Sequence, residues 1–181
     1  MPIDQDLLIP TFKGRAGLPA ETIRDIVALA EGGYWDLEAF KPEDTPRDST
    51  TIRTDDPDLL LPMTVGRWLT QLEILVTSAS FTPDIRFAFG LADGLTVTDW
   101  MIKIASISST SFENRANAET PATSTVIQIG AGATDLITIK AFFTVTVAGT
   151  FSFQWAQSTS NATATIVLQN SLMKIHRLGD V

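Results

Sequence analysis

The stretch from Ile137 to Trp155 most constrains what this chain can fold into. Ile137, Ile139, Ala141, Phe143, Val145 and Val147 occupy odd positions, with Thr138, Lys140, Thr144 and Thr146 between them. A period of two belongs to a strand with one face buried, not to a helix. Ala148-Gly149-Thr150 then reads as a tight turn, with Gly149 free to take positive φ. Phe151, Phe153 and Trp155 alternate with Ser152 and Gln154 in a returning strand. One residue breaks the pattern. Phe142 stands on the polar face of its own strand, where an exposed apolar side chain marks a contact with something else.

The same period recurs from residue 65 onward. Trp68, Leu72, Ile74 and Val76 share a face, opposite Gln71 and Glu73. Ile85, Phe87 and Phe89 alternate with Arg86 and Ala88, and Trp100, Ile102 and Ile104 with Met101 and Lys103. Shorter strands fit 125–129, 163–168 and 172–178, and Pro83-Asp84, Asp93-Gly94 and Gly130–Gly132 supply turns. About eight strands with no helical pattern between them predict a mainly β chain, an antiparallel β-sandwich whose spacing suits a jelly roll.

Residues 1–50 differ in kind. From Pro19 to Glu31, Ile23, Ile26, Val27 and Ala30 recur at helical spacing. Glu21 and Asp25 lie near the start, where the helix dipole favours anions, and Gly32-Gly33 follow as a stop. A helix this short is marginal alone in water, so its apolar stripe must pack against something. Residues 41–58, with three prolines and many charges, read as an extended linker or loop. The expected organisation is an N-terminal arm with one short helix and an acidic linker over 1–50, then a sandwich domain over 51–181.

Charge narrows the partners. Lys and Arg total 13 against 21 Asp and Glu, a net charge of −8. The imbalance is local: residues 1–60 hold 13 acids and 6 bases, residues 61–181 hold 8 and 7. A phosphate backbone or an anionic bilayer needs Lys and Arg gathered on one face, so neither nucleic-acid binding nor membrane docking is expected. The N-terminus has no basic and apolar leader pattern, and no run reaches the roughly 18 apolar residues of a membrane span.

Reactive constellations are sparse. There is no cysteine, which removes thiol catalysis, disulfides and zinc–thiolate sites. The one histidine, His176, has neither a nucleophile elbow nor further imidazoles with it, so neither a triad nor a His-based metal centre is expected. Asp55, Asp56 and Asp58 cluster, as do Asp4 and Asp6. Neither stretch matches a calcium-binding loop, with its central glycine and terminal glutamate. Gly130-Ala131-Gly132 lacks the rest of a phosphate loop, and Asn161-Ala162-Thr163 matches a glycosylation triplet that matters only on a secretory route. No enzyme and no cofactor is expected. Trp68, Trp100 and Trp155 are in phase with apolar faces and read as core. Tyr34, Trp35 and Phe40 lie outside the sandwich and are candidates for a docking contact, together with Ile23, Ile26 and Val27.

Three stretches carry a resemblance. They are 51–63 (TIRTDDPDLLLPM), 83–94 (PDIRFAFGLADG) and 148–178 (AGTFSFQWAQSTSNATATIVLQNSLMKIHRL). Together they resemble tailed-bacteriophage virion proteins with a jelly-roll domain of the C1q/TNF type, in which a Q-W-A-Q strand precedes a Thr- and Ser-marked final block. Here Gly149, Gln154 to Gln157, Thr165 and Ser171 to Met173 carry that pattern. The resemblance covers about residues 50–178. It implies a homotrimer and a structural or host-contacting role in a virion made in the host cytoplasm. The expected protein is a capsid decoration or head-fibre protein docked on other virion proteins through its arm. The alternative is a tail-associated adhesion or glycan-binding module that takes a host surface glycan. Phe142, Phe151, Phe153 and Trp155 are the candidate trimer contacts.

Overall fold

The computed structural model describes residues 35–107, 112–116 and 120–181. Regular structure among them is all strand: β1 (Leu37–Phe40), β2 (Thr45–Arg47), β3 (Thr54–Met63), β4 (Gly66–Ser78), β5 (Ile85–Ala92), β6 (Thr96–Ile107), β7 (Phe112–Ala116), β8 (Thr125–Ile127), β9 (Thr134–Val147), β10 (Gly149–Gln157), β11 (Thr165–Val167) and β12 (Leu172–Gly179). The larger sheet runs β1-β12-β4-β9-β6-β7, with β11 also paired to β4 and β2 to β11. The smaller runs β3-β10-β5-β8. Every strand pair is antiparallel.

The expected sandwich is therefore present, and its connections are those of a jelly roll. The chain lays β1, β12, β4 and β9 in one sheet and β3, β10, β5 and β8 in the other, so consecutive strands repeatedly cross between layers. The β6–β7 hairpin extends the large sheet beyond β9.

The alternation read from the sequence is the burial pattern of the core. Leu72, Ile74 and Val76 from β4 and Ile137, Ile139, Phe143 and Val145 from β9 are fully enclosed. They face Ile85 and Phe87 of β5 and Phe151, Phe153 and Trp155 of β10. Aromatic rings fill the centre. Phe151 stacks on Phe89 and on Phe143, each at 5.1 Å between centroids, and Trp100 closes the group 5.3 Å from Phe89. Trp155 is wholly buried, and its Nε1 donates to Asp56 Oδ2 at 3.0 Å, which offsets the cost of removing that N–H from water.

Three local readings change. The compact unit begins at Leu37, not at residue 51. β1 buries only Ala39 and β2 contains Pro46, so neither shows alternation. Both are short edge strands, where proline is tolerated. The stretch 41–58 read as linker holds β2 and the start of β3. Around Pro57 the β3 register slips against β10, from Leu60 opposite Ser152 to Asp55 opposite Gln154, and this bulge turns Asp56 inward. Gly149 does not take positive φ. A Cβ there would meet the Ala92 carbonyl oxygen at 2.5 Å and the Leu95 nitrogen at 2.6 Å, so glycine is needed for close approach of backbones. The helix expected over 19–31 lies outside the described residues.

Candidate functional site

The acidic cluster of β3 is consumed by structure. Lys41 follows β1 and is fully buried. Its ammonium donates to Thr45 Oγ1 at 2.6 Å, Asp56 Oδ1 at 3.0 Å and Asp58 Oδ2 at 2.9 Å, which uses all three of its N–H groups. Arg47 lies 4.1 Å over the Trp155 ring and donates to the backbone carbonyls of Thr54, Asp55 and Trp155. Burial lowers its pKa below the ordinary arginine value, against the opposing pull of Asp56 and Asp55. Asp55 points the other way and accepts from Ser152 Oγ and Gln154 Nε2. The three aspartates thus serve two separate networks. Together Lys41 and Arg47 clasp the β1–β2 segment, itself part of the large sheet, onto β3 and β10 of the small one. Among the described residues, no group of three or more His, Asp or Glu side chains is placed to hold a metal ion. His176 lies on β12 opposite Leu69.

The surface that departs from ordinary solvent-facing sheet is the outer face of the large sheet. Across β4, β9 and β6 the register sets Leu69 opposite Phe142, and Phe142 opposite Met101. Met101 is 61% exposed, while Leu69 and Phe142 are half-buried. They line a groove of about 220 Å³ with Ile102, Ala141, Lys103 and Lys140. In the adjoining row, Gln71 stands opposite Lys140 and Lys140 opposite Lys103, so two lysines face each other across β9 and β6.

A β-bulge creates this arrangement. Thr98 pairs with Thr144 but Met101 pairs with Phe142, which leaves one extra residue in β6, and Asp99 takes φ 53° there. The extra residue lets Val97 and Trp100 both pack inward and turns Met101 outward beside Phe142.

The candidate trimer contacts separate accordingly. Phe151, Phe153 and Trp155 are wholly enclosed in the single chain and have no surface to offer a second copy. They occupy alternate positions of β10, on the face that packs against the large sheet. Phe142 is on the outer face, as its position on the polar side of β9 predicts. Of the candidate docking residues, Phe40 is 56% exposed and Trp35 half-buried. Ile23, Ile26, Val27 and Tyr34 lie outside the described residues. Leu69, Met101, Lys103 and Lys140 were not singled out in the sequence. Leu69 and Met101 carry the same signal as Phe142, an apolar side chain among the polar positions of its strand.

No family model and no curated protein matches the chain. Solved structures similar to it include the Eiger TNF from S. frugiperda, at 10% identity and TM-score 0.32, covering 79% of this chain and 95% of that one. A second is the infectious bursal disease virus VP2 subviral particle, at 8% identity and TM-score 0.17, covering 81% of this chain and 38% of that one. The assignment of the fold rests on the strand order of the chain itself.

Proposed function

We propose that this chain is a non-enzymatic structural protein of a bacteriophage virion. It assembles as a homotrimer and decorates the capsid or forms a head fibre, with residues 1–36 as its docking arm. The observation that carries the reading is the apolar row Leu69–Phe142–Met101 on the outer face of three adjacent strands, with Met101 exposed and Leu69 and Phe142 half-buried beside it. Met and aromatic side chains in one contiguous row on an outer face are the composition of an interface core. The sequence resemblance over residues 50–178 supports a virion role. The polar clusters of the described residues support a binding function over a catalytic one, because Lys41, Asp56 and Asp58 are bound to one another and hold β1 to β3.

Light scattering on the full chain tests self-association, with three times the chain mass expected. Phe142→Asp should give a folded monomer, because the side chain lies outside the core. A wild-type monomer at every concentration, or a Phe142→Asp chain that stays trimeric, overturns the trimer. Antibody labelling of purified particles tests the placement. Label on heads supports it, and particles without the chain overturn the virion role.

A further inference from the structure

We infer that the groove between β9 and β6 receives the β1 edge of a second copy of this chain. Phe40 is its apolar anchor, and Glu38 and Glu43 meet Lys140 and Lys103. The inference rests on the trimer reading above and names the two surfaces that join.

The argument begins with the lysine pair. Lys103 and Lys140 are directly opposed across two strands, and like charges in that position repel. Both are exposed, and neither has an ionic partner among the described residues. A chain of net charge −8 that leaves two of its few cations opposed and unpaired, beside an apolar groove, presents a surface suited to an acidic partner with an apolar tip.

That partner chemistry is carried by the chain itself. On β1, Glu38 and Phe40 both point to the outer face, as their pairing opposite Lys174 and Leu172 shows. Phe40 is 56% exposed, and exposed Glu43 and Asp44 follow in the turn to β2. Among the described residues Glu38 pairs with Lys174, at 3.6 Å, with 52% of its side chain in water. An exposed phenyl ring among carboxylates thus complements a groove walled by Leu69, Met101 and Phe142 and flanked by two ammonium groups.

Within one chain these surfaces cannot meet. β12 and β4 stand between β1 and β9 in the same sheet, a separation of roughly 14 Å at normal strand spacing. A second copy brings them together. The contact is head-to-tail, because an edge meets a groove, and such contacts close into rings when the rotation permits.

The experiment uses charge reversal on the full chain. The pair Lys103→Glu with Lys140→Glu, and separately Glu38→Lys with Glu43→Lys, should each weaken association at least tenfold by light scattering across a dilution series. All four side chains are exposed, so circular dichroism should show each variant folded. The chain carrying all four substitutions should regain the wild-type mass, since the reversed edge then meets a reversed groove. A wild-type trimer indifferent to either reversal, or a four-substitution chain that stays monomeric, overturns this contact while leaving the trimer standing. A wild-type chain that never associates removes both. An acidic oligosaccharide that binds the wild-type trimer and loses affinity on Lys103→Glu with Lys140→Glu would show the lysines open in the assembly, and would overturn the contact in favour of a glycan site.

Discussion

Lys41 and Asp56 meet at 3.0 Å with neither side chain exposed to solvent. Lys41 follows a strand of the large sheet and Asp56 lies in the small one, so the ion pair joins the layers at the end where the jelly roll begins. Breaking a buried pair by removing one partner leaves an uncompensated charge, which costs about 3–5 kcal/mol. Lys41→Met should lower the unfolding free energy by that order in a urea titration. Asp56→Ala should do the same and also leave the Trp155 Nε1 without its acceptor. The two losses should be strongly non-additive in a double-mutant cycle. Additive losses would show that the pair does not act as a unit.

Phe151 and Phe142 separate the core from the proposed interface. Phe151→Ala removes a wholly buried ring stacked on both sheets, and large-to-small changes of this kind cost about 3–5 kcal/mol. Phe142→Ala should change monomer stability by under about 1 kcal/mol, as surface substitutions usually do, while weakening association. Urea unfolding and light scattering on both variants give the comparison. A Phe142→Ala chain as destabilised as Phe151→Ala would place Phe142 in the core and remove it from the interface.

The sandwich was legible wherever burial and sequence share one period. From Ile137 to Val145 each odd-numbered residue is apolar and buried, so the strand declares itself, whereas Val147, in phase with them, is 50% exposed at the strand's end. β3 did not, because Asp56 and Asp58 point toward Lys41 and break the alternation that Leu59, Leu61 and Met63 resume. β1 did not, because a four-residue edge strand with one buried alanine has no pattern to show. Phe142 was visible as an apolar residue on a polar face. Its neighbours Leu69 and Met101 become neighbours only through the register of β4, β9 and β6 and the bulge at Asp99, which are relations between distant segments. Lys103 and Lys140 likewise become a pair only through the register of β6 and β9.

Gly149 opens β10 against the turn that follows β5. Asp93 and Gly94 both take positive φ there, and Leu95 N donates to the Ala92 carbonyl at 3.0 Å. A methyl group at residue 149 would press on that carbonyl and on Leu95 N, neither of which can swing aside as a side chain would. Gly149→Ala should therefore destabilise by about 1–3 kcal/mol, the cost of an overpacked site, despite the ordinary preference for alanine over glycine in regular structure. A urea midpoint equal to or above wild type would show that the turn yields.

The opposed lysines give a last prediction, with the opposite sign. In a dissociated background that adds no charge, such as Phe142→Ala at low concentration, Lys103 and Lys140 repel with no acid opposite them. Lys140→Gln keeps a long polar side chain on the strand and removes that repulsion, so it should raise monomer stability by about 0.2–1 kcal/mol at low salt. The gain should shrink toward zero at about 1 M salt, where exposed charges are screened. In the otherwise wild-type chain the same substitution should loosen the trimer, because the contact proposed for Glu38 loses its partner. A residue that destabilises the free chain and strengthens its assembly is placed for binding. If Lys140→Gln leaves both the low-salt stability of the monomer and the dissociation of the trimer unchanged, Lys140 is simply a solvated lysine on a sheet face.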